Sequence, residues 1–188
     1  MQHTIPTRSE ADPRFTWAIT DLFPTDEAWR EEYARVQGII KELGSYQGRL
    51  GESGGTLLAY LQLSDDFTRA GEPLGSYAFR KSDEDTRNPV YQEMSAQTQN
   101  LLVEAEEATA FQTPEILDIP EEKLAAFYQE APGLEHYRLV LDRIRRQKEH
   151  TLSPAEEALL ASAGKLAQAP DEIFGFLNDG DMAFPDAV

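Results

Sequence analysis

No cysteine occurs among the 188 residues of this chain. That removes a disulfide framework, a thiolate zinc site and a cysteine nucleophile together, and it fits a reducing, cytoplasmic setting. Histidine is scarce, at three residues, and basic side chains number 17 against 34 acidic ones, for a net charge of −17. So acidic a chain repels phosphate backbones and anionic bilayers, which excludes nucleic acid and membrane surfaces as expected partners. No apolar run approaches the roughly 20 residues needed to span a bilayer. Residues Met1–Glu10 lack the basic start and apolar core of a secretory signal. Both phosphate-cradling glycine patterns, Gly-x-x-x-x-Gly-Lys and Gly-x-Gly-x-x-Gly, are missing as well.

What is present is the composition of a folded protein, with 40% hydrophobic and 10% aromatic residues. That is enough for one domain with a sizeable core or for two small lobes. The negative charge serves solubility, with a surface favouring cationic ligands as the sharper alternative. Periodicity predicts an all-α fold of antiparallel long helices followed by shorter ones, in three regions. Residues 1–23 form an extended arm whose aromatics pack onto something larger. Residues 24–112 form the long-helix region. Residues 113–188 form a short-helix lobe.

The first long helix is expected from Asp26 to Leu43 behind Thr25 as N-cap, because Trp29, Tyr33, Val36, Ile40 and Leu43 recur at helical spacing. The second starts near Thr56, with Gly71 and Pro73 expected to kink or break it. The third runs from Pro89 to about Phe111, with Asn88 as cap and Val90, Met94, Leu101, Ala105 and Ala108 on its inner face. Shorter helices follow at 113–117, 120–130, 134–148, 154–167 and 170–177. Ser153, Pro154 and Glu156 mark the start of the fourth of these as a capping box.

Histidine on an acidic helix invites a metal reading, which needs ligands at i and i+3 or i+4. Around His136 those positions hold Pro132, Gly133, Leu139 and Val140; around His150 they hold Arg146, Gln147, Ser153 and Pro154. None is a ligand. On one continuous helix the two histidines would also stand roughly 21 Å apart, at about 1.5 Å per residue, and His3 lies in the terminal stretch. All three are therefore read as structural.

Gly51-Glu52-Ser53-Gly54-Gly55 matches the Gly-x-Ser-x-Gly nucleophile elbow, but a helix and a glycine loop precede it where the elbow requires a strand. A helix–helix connection is the reading that fits. Asp83 with Asp85, and Asp179 with Asp181, lack the further ligands of a calcium loop and read as solvated turns. The cations from Arg143 to Lys148 suit a helix C-terminus. No catalytic, cofactor-binding or metal-binding residue is therefore assigned to this chain.

The order of its phrases is nevertheless specific. Trp17-Ala18-Ile19-Thr20-Asp21-Leu22-Phe23 precedes Gly44-Ser45-Tyr46-Gln47-Gly48-Arg49-Leu50, Tyr77-Ala78-Phe79 and Asp85-Thr86-Arg87-Asn88. Then come Phe111-Gln112-Thr113-Pro114-Glu115-Ile116-Leu117, His150-Thr151-Leu152-Ser153-Pro154-Ala155-Glu156-Glu157 and Asn178-Asp179-Gly180-Asp181-Met182-Ala183-Phe184. From Trp17 to Phe184 the sequence resembles the N-terminal region of oligoendopeptidase F, a zinc metallopeptidase family related to thimet oligopeptidase. The resemblance implies a parent enzyme that hydrolyses short peptides in a deep channel of a helical body. It implies zinc held by a His-Glu-x-x-His helix and a downstream glutamate, with the motif glutamate activating water. That motif does not occur here. The chain is then expected to be an incomplete, catalytically inactive N-terminal lobe that binds no zinc itself and lacks its C-terminal catalytic partner. An apolar docking face left exposed could pair two copies as a homodimer. The alternative is a free-standing acidic helical binding module without catalysis.

Overall fold

The structure, a computed structural model, describes residues 11–85, 87–148, 170 and 173–174, and the described residues contain helices and no strand. The chain divides into two compact units, Met1–Arg145 and Arg146–Val188. The capping box, His3, His150, the 154–167 helix and the Asp179–Asp181 pair lie outside the described residues. Pro170, Ile173 and Phe174 are helical.

Two 3-10 turns of the first unit, Pro13–Phe15 and Ile19–Asp21, precede its long helices. Helix α1 spans Asp26–Gly44, α2 Gly54–Glu84 and α3 Pro89–Thr109. Helix α4 covers Gln112–Asp118 and α5 Glu121–Glu130. A 3-10 segment, Pro132–Tyr137, then runs directly into α6, Arg138–Arg146.

Sequence chemistry sets these boundaries. The hydroxyl of Thr25 accepts the amide of Ala28 at 3.2 Å, and the Asn88 side chain accepts that of Val90 at 3.0 Å. Each satisfies one of the otherwise orphaned amides of a first helical turn. Pro89 then sits where a missing N–H costs nothing.

The first three helices pack in alternating directions. Near the start of α1, the Trp29 indole N–H donates to the Leu74 carbonyl late in α2 at 2.9 Å, and the Tyr77 hydroxyl donates to Asp26 at 2.7 Å. The last residue of α1, Gly44, faces Ala108 near the end of α3. Helices α1 and α3 are therefore parallel to each other, and α2 runs against both.

Two apolar cores result. One joins Trp29, Val36 and Ile40 of α1 to Leu74 and Tyr77 of α2 and Leu101 of α3. The other joins Leu43 of α1 and Leu57, Tyr60 and Leu61 of α2 to Ile116, Phe127, Leu134 and Leu141 of the short helices. Helices α1 and α2 are common to both.

Of the kink or break expected at Gly71 and Pro73, the break does not occur: α2 is one helix of 31 residues with Pro73 inside it. Pro73 withdraws a donor from the ladder. Beyond it, Leu74, Tyr77 and Ala78 are all buried, so packing against α1 and α3 carries the helix onward. The arm also differs from expectation. Ile19 is buried and Phe23 meets Tyr77 edge-on at 5.5 Å, yet Phe15 and Trp17 are 86% and 80% exposed.

Candidate functional site

A concavity of about 970 Å³ lies between the arm and the middle of α2. Phe67, Gly71, Gly75 and Phe79 of α2 form its floor, and Trp17 and Leu22 of the arm and Leu102 of α3 form its walls. The two glycines keep it open. A Cβ at Gly71 would meet only the Phe67 ring, at 3.9 Å, and one at Gly75 would reach Phe79 at 3.5 Å and Thr98 at 3.7 Å. Leu22 and Leu102 are 42% and 47% exposed, so apolar surface faces water.

Charge lies at the edge of this groove. Asp21, Glu72 and Arg80 contribute to its lining. The Arg80 guanidinium is paired with Asp83 at 3.1 Å. Both Asp21 and Glu72 are exposed, and among the described residues neither forms an ion pair with a lysine or arginine. The uncompensated charge at the rim is negative.

The residues singled out from sequence are spread apart and engaged locally. Ser53 is the N-cap of α2: its hydroxyl accepts the Thr56 amide at 3.0 Å and shares a hydrogen bond with the Thr56 hydroxyl at 2.9 Å. Asp85 accepts from the Arg87 amide at 3.0 Å, and that bond, ahead of the guanidinium, holds its carboxyl below the usual range. The His136 ring lies exposed against Tyr137, edge to face at 5.1 Å. Arg145 donates to the Ile119 carbonyl at 2.7 Å. Among the described residues, no three histidine, aspartate or glutamate side chains gather to hold a metal, and no helix is long and apolar enough to cross a membrane.

Several long-range polar ties were invisible from sequence. The Glu115 carboxylate accepts the amides of Gly48 and Leu50, the latter at 3.1 Å. Glu130 accepts the Gly54 amide at 3.0 Å, which secures the first turn of α2. Tyr137 donates to Asp65 at 2.6 Å; burial, aided by that bond, pushes its hydroxyl up to about 12. Burial likewise pushes the Tyr60 hydroxyl, which donates to Gln112 at 2.8 Å, up to about 12. The guanidinium of Arg138 lies 4.0 Å from the centre of the Tyr128 ring while gripping Glu135 through two bonds of 2.7 Å. These ties build the scaffold, and they gather no reactive constellation.

Comparison with known proteins gives this scaffold a context. Residues 115–184 match the sequence model of a family described as Oligopeptidase F. The chain is 38% identical over 181 residues to oligopeptidase PepF of Bacillus subtilis (strain 168), covering 96% of this chain and 27% of that protein. It is 34% identical over 178 residues to group B oligopeptidase PepB of Streptococcus agalactiae serotype III (strain NEM316), covering 95% and 30%. The crystal structure of oligoendopeptidase-F from Enterococcus faecium superposes with a TM-score of 0.62 at 30% identity, over 86% of this chain and 32% of that one. The chain thus spans less than a third of the length of these relatives. The helical fold of the described residues matches the N-terminal region of oligoendopeptidase F structures.

Proposed function

The chain belongs to the oligopeptidase F family, and from that premise we propose that it forms the N-terminal scaffold and channel wall of a cytoplasmic, zinc-dependent oligopeptidase that hydrolyses short peptides. The observation that carries this reading is coverage: similarity runs along nearly the whole of this chain but only 27% and 30% of two oligopeptidase relatives. The catalytic centre then belongs to the part of the parent protein outside these residues.

Zinc is implied by family resemblance, and the described residues do not fit it. His136 lies exposed on a 3-10 turn, and among the described residues no three donor side chains gather to hold a metal. No hydrolytic step is therefore assigned to a side chain of this chain. Its role in the reaction is mechanical. The two cores and the long-range carboxylate ties hold one wall at fixed geometry, so that the remainder can position peptide and water.

A quenched fluorescent peptide tests this. The purified 188-residue chain is expected to give no cleavage with or without added zinc, and the product of the full reading frame is expected to cleave with zinc. Zinc-dependent turnover by the 188 residues alone would overturn the division of labour. A stop at codon 188 would favour an acidic binding module instead.

A further inference from the structure

We propose that the groove between the arm and α2 is a binding seat for short apolar peptides carrying basic residues. The inference rests on the oligopeptidase reading above and adds a local point of contact for the peptide.

Three observations converge on that occupant. The volume, about 970 Å³, sits at the upper end of the roughly 300–1,000 Å³ typical of pockets that engulf a drug-sized ligand. It accommodates several side chains of a short segment. The lining is mostly apolar, and solvent-facing Trp17, Leu22 and Leu102 contribute to it, so an apolar occupant removes costly surface from water. The rim selects by charge. Asp21 and Glu72 lack a basic partner among the described residues, whereas the rim arginine, Arg80, is already paired with Asp83. On a chain of net charge −17, a lysine or arginine beside the apolar side chains gains from both the local and the global field, and an acidic peptide is repelled by both.

The molecule carries its own reporter. Of its two tryptophans, Trp29 is fully buried and Trp17 is 80% exposed on the groove wall. Acrylamide therefore quenches Trp17 selectively, and an occupant shields it.

The experiment titrates the 188-residue chain at low salt with a capped hexapeptide of alternating leucine and lysine, and with its leucine–glutamate counterpart. The expected result is saturable protection and a blue shift with the lysine peptide alone. Gly71→Leu fills the floor, where only the Phe67 ring stands within 4 Å, and is expected to weaken binding at least about tenfold, since a filled site resists further insertion. Helix propensity favours this substitution, so circular dichroism should show the fold retained. Asp21→Asn with Glu72→Gln is expected to weaken the lysine peptide by roughly threefold to thirtyfold, as two exposed charge contacts are lost.

Equal response to both peptides would overturn the proposal, as would indifference to Gly71→Leu in a folded protein. Protection of Trp17 that rises with protein concentration alone would assign the groove to a second copy. Protection already complete in the full-length protein without peptide would assign it to another segment of that chain. Either outcome overturns the proposal. In the full-length protein, unchanged hydrolysis of basic and acidic peptides by the Gly71→Leu variant removes this seat and leaves the oligopeptidase reading standing. Absence of hydrolysis in the unsubstituted protein removes the reading itself.

Discussion

A methyl group on Gly54 would lie 2.7 Å from the Phe127 carbonyl oxygen and 3.0 Å from its Cα. Backbone cannot swing aside as a flexible side chain can, so α2 and α5 approach closely at this glycine. Gly54→Ala is expected to destabilise the chain by about 1–3 kcal/mol, the usual cost of overpacking, read from the urea midpoint. A substitution without effect would mean that the two helices separate freely. The Tyr137 hydroxyl makes a different kind of prediction. Its value is raised from 10.0 to about 12, by burial first and then by its bond to Asp65. A raised value means the folded state prefers the protonated hydroxyl. The resulting stabilisation is complete below about pH 10 and is lost as pH climbs through about 12. The urea midpoint should fall less steeply over that window in Tyr137→Phe than in the unsubstituted chain, and identical slopes would count against the bond.

Helix α2 shows what periodicity can and cannot deliver. Gly71, Pro73 and Gly75 together cost a helix interior roughly 5 kcal/mol relative to alanine, and the first two of them pointed to a kink or break there. Leu74, Tyr77 and Ala78 are buried just beyond, and burial of large apolar side chains at roughly 1.5–3 kcal/mol each offsets that penalty. Local propensity lost to tertiary packing. Gly71→Ala should accordingly raise stability by roughly 0.5–1 kcal/mol, because the added methyl meets only a ring edge at 3.9 Å; thermal denaturation checks it, and a lower midpoint would reveal strain not visible in the contacts. Elements with an unbroken stripe were legible. In α1, Trp29, Val36, Ile40 and Leu43 of the expected stripe are buried and Tyr33 is half-buried, and the caps Thr25 and Asn88 stand where side-chain chemistry placed them. The stretch expected as a helix from Leu134 instead begins as 3-10 structure at Pro132 and becomes α6 only at Arg138. A six-residue 3-10 run has no distinct hydrophobic period to announce it.

At the scale of the whole molecule, the groove was hidden from sequence because its parts come from positions 17 to 102 and its floor is defined by missing side chains. Trp17 could be quoted as part of a family phrase, but its 80% exposure depends on how the arm lies on α2. Glu115 was likewise legible only as a residue of a short helical turn, and its grip on the amides of Gly48 and Leu50 crosses 67 and 65 positions. That grip has a consequence for vectorial synthesis. The α1–α2 connection leaves the ribosome long before its anchor does, and at about 5–20 residues per second the delay is roughly 3–13 s. Throughout that interval the nascent helical pair carries an untied loop. The first turn of α2 waits longer still, for Glu130. The N-terminal helices can associate early, but their connection reaches its final form only retroactively, when chain made later comes back to close it.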